Sequence, residues 1–155
     1  MRKILVWSAV LIMVMAVVLT SAKSWAVSQA QRFMEQGADK MEKKHYDQAI
    51  ASFKQAIKAN PDSAETYNLL GMAYRHKYNQ VHIKDLKDQE IAAFQKAIEA
   101  DPNNWVALIN LGATYYYMGE KAKAAPLFKK ALSLNPNHPE KAQLEKMIQE
   151  GENKP

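Results

Sequence analysis

An all-α solenoid of three helical hairpins and one further helix is what this sequence predicts, on three observations. Gly37, Gly71 and Gly112 head the same pattern, in which Phe53, Phe94 and Phe128 stand four residues after Ala49, Glu90 and Ala124 and three before Ala56, Ala97 and Ala131. Each unit closes on a proline, Pro61, Pro102 or Pro136. The apolar positions within each unit recur at three- and four-residue steps, which puts them on one helical face. A period in the thirties means one supersecondary unit copied in tandem. The 155 residues leave room for one domain and not for two sizeable ones.

The first element precedes the repeats. Arg2 and Lys3 stand before an apolar run, Ile4 to Leu19, that only Ser8 interrupts, and small residues Ser24 and Ala26 follow. A short positive start, an apolar stretch and small residues two apart read as a secretory signal peptide. A buried core helix is disfavoured, because the run has no polar face to turn outward. The expectation is therefore a signal peptide over 1–26, cleaved after Ala26. The rival is an anchor retained in the inner membrane by residues 4–22, which is 19 residues, close to the ~20 that span a bilayer. In both cases the positive residues stay inside and the rest crosses, so the expected location is extracytoplasmic, periplasmic or secreted.

The repeats follow, over 30–63, 64–104 and 105–138, within a domain expected at 27–151. In the first halves Phe33, Gly37 and Lys40, then Tyr67, Leu70, Gly71 and Tyr74, then Leu108, Leu111, Gly112 and Tyr115 share one face. Glycine inside a helix costs about 0.5–1 kcal/mol against alanine. Three in register mark places where two helices come too close for a side chain. The second halves supply the partner face, most clearly Ala49, Ile50, Phe53, Ala56 and Ile57. Asn60-Pro61, Asp101-Pro102 and Asn135-Pro136 end the second helices, since the residue before proline avoids the helical region. Gly119 suits a left-handed cap.

Two departures stand out. Gly71 to Pro102 is 31 residues against 24 in the other units. The seven extra residues either add a turn to each helix of the second hairpin or form a loop at Asn79 to Lys84. Glu90 fills a slot held elsewhere by alanine, and is expected near a helix start with its head in water or beside Lys87. Pro126 is expected early in its helix, where a missing amide hydrogen costs least. The last helix, 139–150, opens at Pro139 and closes at Gly151. Its one apolar stripe (Leu144, Met147, Ile148) suits a solenoid cap. Residues 152–155 read as a tail.

Together these positions resemble the tetratricopeptide repeat, with the third unit matching best through Leu108, Leu111-Gly112, Tyr115, Gly119, Ala124, Phe128, Ala131 and Pro136. The resemblance, from Ala30 to Pro136, implies a right-handed superhelix of helix-turn-helix units. It also implies a concave groove, lined by the first helix of each unit, that holds a protein or peptide partner. Carried over by helical offset, the groove stripes are Met34, Ala38 and Met41; Asn68, Met72 and Arg75; and Ile109, Ala113 and Tyr116, flanked by Asn110 and Tyr117. Members of the family that grip a C-terminal carboxylate use paired cations here. This chain offers only Asn68, Asn110 and Arg75 as donors, so an apolar or amphipathic segment is the expected occupant. Methionine adapts to irregular gaps and tyrosine brings area with a polar tip.

Chemistry is absent from the sequence. With no cysteine, disulfides, thiol catalysis and thiolate metal sites are excluded. His76 and His82 are six apart, unlike the i, i+4 spacing of a metal pair, and His45 and His138 sit near turns. No serine stands in a nucleophile elbow and the helical glycines form no phosphate loop. The expected protein is not an enzyme and holds no cofactor. The net charge of +5 falls to +2 without Arg2, Lys3 and Lys23, and the remaining lysines are interspersed with acids. No basic stripe for nucleic acid is present, and the membrane is met only through the N-terminal segment. Two functions fit: an extracytoplasmic adaptor, or a self-associating structural subunit of an envelope assembly.

Overall fold

A computed structural model describes residues 2–153, with side chains between 2 and 23 described only at Met15 and Val18. Among the described residues there are seven helices and no strand: α1 (Arg2–Glu42), α2 (Tyr46–Ala59), α3 (Ala64–Val81), α4 (Lys84–Ala100), α5 (Trp105–Tyr117), α6 (Lys121–Leu134) and α7 (Lys141–Glu152). The pairs α1·α2, α3·α4 and α5·α6 are hairpins that stack in chain order, and α7 closes the stack on α6. This is the expected solenoid of three units and a cap.

The packing explains the glycines. An added Cβ at Gly37, Gly71 or Gly112 would lie 2.4, 2.5 or 2.6 Å from a ring carbon of Phe53, Phe94 or Phe128 respectively. Each ring is fully buried. The same aromatic thus lies flat against the same bare backbone in all three hairpins.

Termini follow the local chemistry. Ser63 accepts from the Thr66 amide and Asn104 from the Ala107 amide, at 3.2 and 3.0 Å, capping α3 and α5. Asn60, Asp101 and Asn135 leave the helical region before their prolines, as expected. Every hairpin tip holds one left-handed residue, Lys44 (φ 59°), His82 (φ 54°) and Gly119 (φ 83°). Only the last was legible as such, because only it is glycine.

The longer second unit adds a turn to each helix. α3 has 18 residues and α4 has 17, against 13 and 14 for α5 and α6. The loop alternative fails, since Asn79 to Val81 are helical and only His82 and Ile83 connect the pair.

Four details differ from the sequence reading. Glu90 is fully buried seven residues into α4, so its head is not in water. Pro126 is the sixth residue of α6, deeper than the first turn. Gly151 does not close α7: it lies inside the helix, where a Cβ would come 2.4 Å from the Lys121 carbonyl oxygen. Glu152 is helical and pairs with Lys129 rather than starting a frayed tail.

α1 runs unbroken through Ala26 into the first repeat. The expected signal or anchor segment falls largely on residues whose side chains lie outside the described set. Among the described residues no helix is long and apolar enough to cross a membrane.

Candidate functional site

The site is built where α3 and α5, the first helices of the second and third hairpins, lie side by side over the start of α4. A cleft of about 380 Å³ opens there, lined by Arg75, Tyr78 and Asn79 from α3, Lys87 and Glu90 from α4, Ala113, Thr114 and Tyr117 from α5, and Met118. The extra turn of α3 supplies Tyr78 and Asn79. The rim is apolar and open: Tyr117 is 76% exposed and Met118 44%.

The floor is a polar network centred on Glu90. One carboxylate oxygen accepts from Arg75 Nε at 2.8 Å and from Thr114 Oγ1 at 2.7 Å, and the other accepts from Lys87 Nζ at 2.5 Å. Arg75 also donates to Asn110 Oδ1 (3.1 Å), to the Asn110 carbonyl (2.7 Å) and to Thr114 Oγ1 (2.9 Å). Asn110 Nδ2 donates to Asn68 Oδ1 at 3.0 Å, and the Asn68 amide lies 3.9 Å from Met72 Sδ. Arg75 further sits over the Phe94 ring at 4.9 Å and Lys87 over the Tyr78 ring at 4.2 Å. Among the described residues no buried side-chain nitrogen or oxygen lacks a partner. The desolvation of Glu90 is thereby offset, as a buried carboxylate requires.

The structure divides the nine residues expected to line the groove. Asn68, Met72, Arg75, Ala113 and Tyr117 are gathered along α3 and α5, Arg75, Ala113 and Tyr117 at the cleft itself. Met34 is buried, and Met41 packs against the core cluster of α2, α3 and α4. Ile109, Ala113 and Tyr116 pack against the cluster of α6 and α7, Ala113 while also lining the cleft. Tyr116 Oη donates to Glu150 Oε2 at 2.6 Å, and Lys121 Nζ binds the same oxygen at 2.7 Å. Lys121 and then Tyr116 hold the Glu150 carboxyl below its ordinary value, while Glu150 raises both partners. Tyr116 is therefore a tie to the cap. The alternating offsets that define a helix face do not tell a groove wall from a seam with the next helix.

Sequence reasoning missed Thr114, Tyr78 and Met118, and placed Lys87 beside Glu90 without the rest of the network. The one available signal was Glu90 itself, a charge in an alanine slot that had to find cations. Arg75, fifteen residues away, was the groove residue able to serve.

Two other clefts carry less. One of about 540 Å³ is lined by Arg32, Glu35, Gln36, Asp39, Lys40 and Ser52. It is a solvated charged face on which Asp39 pairs with Lys43 at 2.6 Å and Lys40 at 3.6 Å. The other, about 370 Å³, lies between Trp25, Gln29, Phe33, Gln55, Lys58 and Ala59. Among the described residues no group of three metal-ligating side chains exists.

Comparison with known proteins agrees with this architecture. Two models, each described as tetratricopeptide repeat, match residues 34–105 and 105–138, together most of the chain. Among solved structures, the chain is similar to the Arabidopsis OM64 TPR domain, at 22% identity over 81% of this chain and 98% of that one, with a TM-score of 0.70. It is also similar to the TPR2B domain of yeast Sti1 in complex with an Hsp70 peptide (20% identity, 80% and 96% covered, TM-score 0.68). A third is the first TPR of Spaghetti (RPAP3) bound to an HSP90 peptide (19%, 80% and 96%, TM-score 0.70). At these identities the likeness shows the fold alone. No match was found among curated proteins.

Proposed function

The chain belongs to the tetratricopeptide-repeat family, a family of non-catalytic protein-interaction modules, and from that premise we propose that it is an extracytoplasmic adaptor holding an amphipathic segment of a partner protein in the α3–α5 cleft. The observation that carries this reading is the pairing of an open apolar rim, Tyr117 and Met118, with a fully satisfied polar floor. Large side chains that stay exposed while the polar groups beneath them are locked in place form a ready surface for burial. An apolar side chain of the partner lies on Tyr78, Tyr117 and Met118, while its backbone meets Asn79 and the spare hydrogens of Lys87. The similar TPR2B domain of Sti1 and first TPR of RPAP3 are each seen in complex with an Hsp70 or HSP90 peptide, which supports a peptide-holding role.

The apolar run at Ile4–Leu19 and the small residues at Ser24 and Ala26 support export. The continuity of α1 through Ala26 favours a second reading of the same location, in which the segment stays as an anchor.

The rim tests the adaptor. Interface hot spots are buried aromatics and similar anchors, whose truncation costs about 2 kcal/mol or more. Tyr117→Ser with Met118→Ser should weaken capture of an envelope partner at least tenfold with helicity unchanged. Capture that survives both changes but is lost on altering Gln29 and Phe33 would move the site to the cleft at the start of the first repeat.

A further inference from the structure

We propose that Glu90 is the specificity-determining residue of the α3–α5 cleft: by engaging Arg75 and Lys87 from within, it closes the cleft to carboxylate-bearing segments and leaves it to segments offering neutral acceptors and apolar side chains. The proposal deepens the partner-binding reading and takes its biological meaning from it.

The equivalent slots in the other hairpins hold Ala49 and Ala124, both fully buried, and the same phenylalanine-on-glycine packing forms above them. Packing therefore does not require a carboxylate at position 90. Stability is a weak reason for it too, because exchanging a buried ion pair for apolar residues is often neutral or favourable. What the glutamate changes is the charge at the cleft floor.

That change is specific in its geometry. The Arg75 guanidinium has five N–H donors, and four of them are spent on Glu90, Asn110 and Thr114. No edge of its fork is free for a bidentate carboxylate. Lys87 gives one donor to Glu90 and lies over Tyr78. An arriving carboxylate would meet already neutralised cations and the Glu90 charge beside them, and like charges at such range disfavour each other. A backbone carbonyl carries no such penalty and can use the remaining donors of Lys87 and Asn79. Arg75 and Lys87 keep 26% and 17% of their side chains exposed, so both would face the cleft and its water once Glu90 is removed.

The test uses acetate, a bare carboxylate, titrated against chloride at constant ionic strength into the full chain, in detergent micelles where the N-terminal segment requires it. Amide shifts of Arg75, Lys87 and Thr114 are followed by NMR. The wild type should show no saturable shift. Glu90→Ala should saturate with an apparent Kd at least about tenfold tighter, the scale of a hydrogen bond to a charged group, and Lys87→Met added to it should reverse the gain. Glu90→Gln removes the charge with minimal change of shape and should move in the same direction, which keeps the test alive if the alanine variant does not fold. Saturation of the wild type as tight as that of the variants, or no gain in either variant, overturns the proposal. Because acetate reads the floor without any partner, failure here leaves the rim variants above to decide the adaptor reading separately.

Discussion

Replacing Gly71 by alanine should destabilise the protein, against the helix propensity of the two residues. In a free helix the exchange is favourable by about 1 kcal/mol. Here the new Cβ would stand 2.5, 2.7 and 2.9 Å from three atoms of the Phe94 ring, well inside normal contact. The ring has no exposed surface and the Arg75 guanidinium sits over it at 4.9 Å, so it cannot swing out to solvent. α3 and α4 must part instead. Overpacking of this kind costs typically 1–3 kcal/mol, and three ring atoms at sub-contact distance belong at the upper end. After the propensity gain, the net loss is about 2 kcal/mol. For a chain of this size that lowers Tm by roughly 4–8 °C, read by thermal melts at 222 nm. A double-mutant cycle sharpens the test: Phe94→Leu shrinks the ring, so Gly71→Ala in that background should cost much less than in the wild type. A Tm that stays level or rises in Gly71→Ala refutes the close-approach account of all three helical glycines.

Three further outcomes follow from the same contacts. Arg75→Leu leaves the buried Glu90 with Lys87 and Thr114 alone, and breaking such a pair from one side should cost about 3 kcal/mol by urea unfolding; an unchanged midpoint would show that the network is dispensable. The cap should loosen in acid, because Glu150 is held below the ordinary carboxylate value of 4.5 by Lys121 and Tyr116: its contribution is present above the unfolded value and is lost as pH falls through the folded one. Tyr116, raised above 10.0 by Glu150, adds the opposite limb, present below the unfolded value and lost as pH rises through the folded one. The protection of α7 amides relative to their intrinsic exchange rate should fall at both extremes, and Glu150→Gln should abolish both limbs while leaving α3 and α4 unaffected. The intact mass of exported protein should place the N-terminus at Val27; a species that retains Trp7 would favour the anchor.

The fold was open to reading because its determinants repeat. A glycine that admits a phenylalanine, and a proline that stops the next helix, recur at matched positions, so each unit checks the others. The lengthening of the second hairpin was visible as seven residues, but its form depended on His82 taking a left-handed conformation, which nothing in its chemistry announces. The site was harder. Helical offset placed Asn68, Met72, Arg75, Ala113 and Tyr117 along one surface, because that surface is set by backbone periodicity. It also assigned Met34 and Tyr116 there; Met34 is as buried as Asn68, and Tyr116 bonds Glu150 of α7. Periodicity gives a direction around one helix, whereas a groove depends on which neighbour arrives. The Glu90 network lay beyond it for the same reason: its members come from three helices, with Arg75 and Thr114 separated by 39 positions.

Site-specific photocrosslinking in native envelope tests the central claim most directly. A photoreactive phenylalanine analogue replaces Tyr117 or Met118 on the cleft rim, and, as comparison, Gln95 or Lys130 on the exposed faces of α4 and α6. The account predicts one discrete protein adduct from the two rim positions and none from the comparison positions, with the rim adduct lost when Tyr78→Ser is added. Adducts formed equally from all four positions, or only from Gln95 and Lys130, would contradict a partner held in the α3–α5 cleft.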